Sequence, residues 1–139
     1  MILLLSFMFG IFEAGFMLYA YHAIAEAARE GARYAIVRGS TAGASNCTAP
    51  GPATCIAQGG SNTGDIATYV KGLGFLNASN MTVNSTWSAY TGGTTCSTPC
   101  NSPGNQVTVK VLYNFTLSIP LIPSQTYTMS STAAMIIQQ

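Results

Sequence analysis

MILLLSFMFGIFEAGFMLYAYHAIA, residues 1–25, contains three polar interruptions, Ser6, Glu13 and His22, and no proline. A run of this length and apolarity is able to cross a bilayer, and as a helix it extends about 37 Å. From Ala23 the sequence continues Ala-Ile-Ala-Glu-Ala-Ala-Arg-Glu-Gly-Ala-Arg-Tyr-Ala, rich in strong helix formers, until Gly39 offers a stop. The pattern predicts one continuous helix from residue 1 to about 38. Its charged part holds two i,i+3 pairs, Glu26 with Arg29 and Glu30 with Arg33, which contribute only tenths of a kcal/mol each. Most of that charge reads as a solvated face.

Small residues recur along this helix. Ala23, Ala27, Gly31 and Ala35 fall four apart, and Gly10 with Ala14 repeats the spacing. Such ridges let another helix backbone approach closely. Ala23 to Ala35 suits helix-on-sheet packing within the subunit equally well. Gly10 and Ala14 lie in the fully apolar part, which projects too far to be covered by a globular part of this size, so they point to subunit–subunit packing. Glu13 stands out between them. A carboxylate in an apolar helix costs about 2.5–3.5 kcal/mol on insertion scales and normally has a partner. One reading makes it a registry device that pairs with the amino terminus, His22 or Arg29 of an adjacent copy; the other makes it a glutamic acid bonded to its own helix.

The chain of 139 residues suits one modest domain. Only 6% of its residues are charged and 48% are hydrophobic, so burial replaces charge. Five Lys or Arg against four Asp or Glu leave a net charge of +1, with no electrostatic pull towards nucleic acid. One histidine and four carboxylates are too few for a catalytic constellation, so no enzyme, cofactor or metal site is expected. His22 and Glu26 have the i,i+4 spacing of metal ligands but lack a third, and read as a surface polar pair.

Beyond the helix, residues 39–139 form the predicted extracellular sheet domain, an α+β arrangement with residues 1–38 as the membrane or filament-core segment. Only Asp65, Lys71 and Lys110 are charged there. Gly, Ser, Thr, Asn and Pro dominate between short apolar segments, a composition of turns and strands. Ile66, Tyr69, Val70 and Leu73 after Asn62 and Thr63 mark a short amphipathic helix. Met81, Val83 and Trp87 alternate with polar residues in a strand over about 81–89. From Val107 to Ile119 every odd position is apolar or aromatic, the clearest strand in the chain. Pro120 and Pro123 break it, and Tyr127, Met129, Ala133, Met135 and Ile137 resume on one face as an antiparallel partner.

Cys47, Cys55, Cys96 and Cys100 are an even set in a loop-rich region, which reads as disulfides and an oxidising exterior. Three connectivities are open, with sequential pairing closing two short loops; a Cys-only zinc site lacks the usual Cys-x-x-Cys knuckles. The arginines that follow the apolar segment, Arg29, Arg33 and Arg38, favour the opposite orientation by the positive-inside tendency. A basic leader preceding Met1 in the precursor reconciles the two. Acceptor sequons for N-glycosylation occur at Asn46, Asn77, Asn80, Asn84 and Asn114. Trp87, Tyr90 and Tyr113 offer a further reading, a sugar-stacking platform on an anchored adhesin, against the plainer one of aromatics in the core.

The run Phe9-Gly-Ile-Phe-Glu-Ala-Gly15, followed by Ala27-Ala-Arg-Glu-Gly-Ala-Arg-Tyr-Ala35, resembles the TadE-like family of tight-adherence pilus systems. The alternating strand from Val107, the Pro-Leu-x-Pro break and the final Thr/Ala/Met strand are similar to the family's C-terminal part. The resemblance implies a type IV pilin-like fold, a leader cut by a prepilin peptidase, residence in the inner membrane, and work with a pilus assembly machinery. It implies a subunit of a pilus-like filament, a homo-oligomer of many copies on the cell surface, or a minor component of its assembly. Mature pilins usually carry a glutamate at the fifth position, where Leu5 stands here; by alignment on Phe9-Gly10-Ile11 the resemblance implies either that the mature N-terminus lies upstream of this sequence or that this is an atypical filament protein processed differently.

Overall fold

The computed structural model describes residues 1–39, 60–62, 64–90, 102–117 and 123–138. With no proline and many Leu, Met, Ala and Phe, the N-terminal run forms helix α1, Ile2–Ile36. At 35 residues it is about 52 Å long. It ends two residues before the predicted limit, where Val37 leaves helical geometry at φ −93° and ψ 3°.

A two-residue strand β1, Gly60–Ser61, precedes helix α2, Asp65–Gly72. The amphipathic spacing places Ile66, Ala67 and Val70 of α2 in the core. A 3₁₀ turn, Ala78–Asn80, leads into β2, Met81–Ser88; β3 spans Gln106–Leu117 and β4 spans Gln125–Ile136. The antiparallel sheet runs in the order β1-β2-β3-β4. The α+β pilin-like class predicted from the sequence is what the chain adopts. The predicted extension of β3 to Ile119, the Pro120 break and all four cysteines lie outside the described residues. β1 was not predicted. Asn62 secures it to β2 from a left-handed backbone (φ 57°), its N–H donating to the Val83 carbonyl at 2.7 Å.

Period-two alternation decides the faces of the sheet. Val107, Val109 and Val111 of β3 are fully buried opposite Trp87, Ser85 and Val83 of β2 and Met135, Ala133 and Ser131 of β4. The second half of α1 covers this face, packing on β3, β4 and α2. Ile24, Ala27, Ala28, Ala32 and Ala35 are completely buried there, with Ile66, Val70 and Ile137 closing the core. Gly31 fits because it has no side chain: a Cβ at that position would lie 2.6 Å from Val70 Cγ2 and 3.1 Å from Val109 Cγ1. At the end of α1, Arg38 sits 3.9 Å over the Tyr34 ring, which stacks at 4.2 Å on Tyr69 of α2.

Candidate assembly interface

Helix α1 divides at about Ala20. Below that point one side is covered by the sheet; above it, nothing in the described subunit is wide enough to shelter the helix. Among the described side chains, thirteen large apolar ones between Met1 and Tyr21 are exposed, including Leu3 at 83%, Phe7 at 72% and Phe16 at 63%. The helix carries an 18-residue window of mean hydropathy 1.8, of which 6% is buried. Residues 1–21 span about 30 Å as a helix, the thickness of a hydrocarbon core. By length and composition, α1 fits a membrane anchor.

The exposed set is not all round. At 100° per residue it occupies roughly two-thirds of the circumference, and the remainder is a seam of Ser6, Gly10, Glu13 and Met17, all half-buried. The seam runs straight into Ala20, Ile24, Ala27 and Gly31 with spacings alternating between four and three residues. The face that packs on the subunit's own sheet therefore continues, uncovered, into the projecting half.

This geometry sorts the residues singled out for subunit packing. Ala23, Ala27, Gly31 and Ala35 are buried against the sheet and α2, so their ridge serves helix-on-sheet contact within the subunit and is not available to a neighbouring helix. Their smallness lets the helix lie close to the valines of β3. Gly10, Glu13 and Ala14 stay outside the core; no described atom comes within 4 Å of a Cβ built at Gly10. Glu13 has no hydrogen-bond or ion-pair partner among the described residues. Glu26 and Glu30, by contrast, are bonded to Arg29 at 3.1 Å and Arg33 at 2.8 Å. His22 is exposed with Tyr21 edge-on beside it, and Glu26 is held away by Arg29.

The aromatic platform does not form. Trp87 and Tyr113 point to the helix side of the sheet and pack on the core, and their rows, at Val107 and at Tyr113 itself, are six residues apart along β3, about 20 Å. Tyr90 is exposed beyond the end of β2. Of the sequons, Asn77 caps the 3₁₀ turn by accepting from Ser79 N–H at 3.1 Å, Asn80 is exposed there, and Asn84 is half-buried on the outward side of β2. Asn114 is exposed and accepts from the Thr128 hydroxyl at 2.8 Å. Asn46 and the cysteines Cys47, Cys55, Cys96 and Cys100 lie outside the described residues.

One feature of the projecting half has no counterpart in the sequence reading. Ile11, Phe12, Gly15, Phe16 and Tyr19 line an open apolar depression of about 400 Å³. The missing side chain of Gly15 makes its floor, and the alternation of small with bulky residues at i, i+3, i+4 and i+7 is the signal that could have located it.

The part of the chain that carries this geometry also carries its relationship. Residues 1–33 match the TadE-like protein family. The TadE-like segment thus coincides with the projecting helix and the first turns of its packed half. No curated protein and no solved structure matches the chain.

Proposed function

We propose that this chain is the structural, non-catalytic subunit of an extracellular pilus-like filament, held in the inner membrane by α1 and then polymerised through that helix into a helical homopolymer. The observation that carries the reading is the projecting TadE-like helix with thirteen exposed large apolar side chains. At about 1.5–3 kcal/mol for each, their exposure to water would cost on the order of 20–40 kcal/mol. They need lipid before assembly and copies of themselves after it. Apolar helices would bundle at the centre and the sheets would form the sheath, a heterologous assembly that does not close on itself. A prepilin peptidase and a pilus assembly machinery are the partners this reading requires.

Glu13 is assigned the registry role. Without a partner among the described residues of its own subunit and set in an apolar surface, it pairs with a cationic group of an adjacent copy and so fixes the axial stagger. Glu13→Leu filaments with unchanged rise and yield would remove that role.

A second reading uses the same helix: a membrane-anchored minor component of the tight-adherence system that primes assembly without polymerising. Electron microscopy of the purified full-length protein after detergent removal separates the two. Long regular fibres with one repeating subunit support the filament, whereas vesicle-bound monomers alone overturn it in favour of the anchor. A soluble, monodisperse monomer in detergent-free buffer would defeat both.

A further inference from the structure

We infer that the depression over Gly15 is the seat for a bulky apolar side chain from the α1 helix of a second copy, a knob that locks neighbouring helices together in the filament core. The inference rests on the filament reading above and specifies its contact.

Position makes the first case. Gly15 is two residues from Glu13, about 200° around the helix, so the depression faces away from the seam that leads into the subunit's own sheet. Its Tyr19 rim meets the globular part, the Tyr19 hydroxyl donating to the Phe75 carbonyl at 3.3 Å. Apart from its own helix backbone, no described atom lies within 4 Å of a Cβ built at Gly15, so no described part of the subunit uses the glycine's small size. Glycine in a helix interior costs about 1 kcal/mol relative to alanine, and no contact among the described residues offsets it here.

Shape makes the second. Phe12, Phe16 and Tyr19 rim the floor with Ile11, and an apolar cavity of about 150 Å³ already admits a benzene ring, so a depression of about 400 Å³ has room for an aromatic or leucine side chain. The amount of apolar surface then selects the occupant. Because exposed side chains cover about two-thirds of the helix circumference, one partner on one face would leave most of them in water. Once the helix has left the lipid, only a surround of other helices hides them, and identical helices supply both the depression and the exposed Leu and Phe side chains that fill it.

The full-length chain, purified in detergent, is assayed by pelleting and electron microscopy as detergent is withdrawn. Gly15→Leu is expected to raise the concentration needed for fibres at least tenfold while inserting into membranes at the wild-type level, since leucine improves both helix propensity and apolarity. Phe12→Ala added to Gly15→Leu reopens the rim and is expected to restore fibres in part. Fibres of Gly15→Leu at the wild-type concentration, or a double variant no better than the single one, would overturn the inference and leave the filament reading standing. A wild-type chain that forms no fibres overturns the filament reading and this contact with it.

Discussion

Gly31→Ala tests whether the packed half of α1 is as close to its sheet as the geometry requires. The new methyl would sit 2.6 Å from Val70 Cγ2 and 3.1 Å from Val109 Cγ1, both belonging to fully enclosed, β-branched side chains. Valine is stiff at χ1, so the strain cannot be released by a rotamer change and must move a helix. Overpacking of this kind costs about 1–3 kcal/mol, while replacing glycine by alanine in a helix returns about 1 kcal/mol. The balance is a destabilisation of up to about 2 kcal/mol. At about 4 °C per kcal/mol, where the ranges for smaller and larger domains meet, the melting temperature should drop by up to about 8 °C.

Trp87 is the single tryptophan, half-buried on the core side of β2, and its fluorescence follows unfolding of the full chain in mild detergent. The double variant Gly31→Ala/Val70→Ala removes the nearer of the two clashes, that with Val70, so its loss should be smaller than the sum of the single losses by about 1 kcal/mol. A Gly31→Ala protein that melts at or above the wild-type temperature, with additive behaviour in the double variant, would refute the close approach of helix and sheet.

The core and the helix end offer two further tests. Ile66→Ala empties a fully buried position between α2 and the sheet and should cost about 2–5 kcal/mol in the same unfolding assay, with no effect on membrane insertion. Arg38→Gln removes the cation 3.9 Å above Tyr34 and should cost about 0.5–1 kcal/mol, whereas Arg29→Gln, which breaks an exposed i,i+3 pair, should cost a few tenths; equal losses in thermal melts would count against the stacked arrangement.

The sequence disclosed those parts of the fold whose cause is local. Val107 to Leu117 alternate because one side of β3 lies on the core, and Ile66, Tyr69 and Val70 repeat at helical spacing because one side of α2 does. β1 escaped notice because Gly60 and Ser61 have neither pattern nor bulk; the strand exists through pairing with Asn84 and Ser85, which only the folded chain brings alongside. The stack of Tyr69 on Tyr34 joins residues 35 positions apart and leaves no periodic trace. For the interface the limit was different. Ala23 to Ala35 could be read as a helix–helix or a helix–sheet ridge because small size serves either contact, and only the position of Val70 and Val109 decides it. The depression over Gly15 depends on where three aromatic rings point, which residue spacing suggests but does not determine.

The four carboxylates differ in the support their surroundings give them. Glu26 and Glu30 are each held by an arginine three residues on, and Asp65 begins α2, where the helix dipole favours negative charge. Glu13 has neither kind of support among the described residues, and it sits where lipid would surround it. Membrane residence alone gains nothing from such a group, since a carboxylate within the bilayer costs about 2.5–3.5 kcal/mol and contributes no hold on the membrane. A helix that must leave the bilayer and find one stagger among many equally apolar ones does gain: a bundle of Leu and Phe surfaces is nearly indifferent to sliding, and a single polar group per copy makes most offsets unfavourable. On the filament reading proposed above, the loss on insertion would be recovered at one register of the assembled helices, and that recovery is what the rise and yield of Glu13→Leu filaments measure.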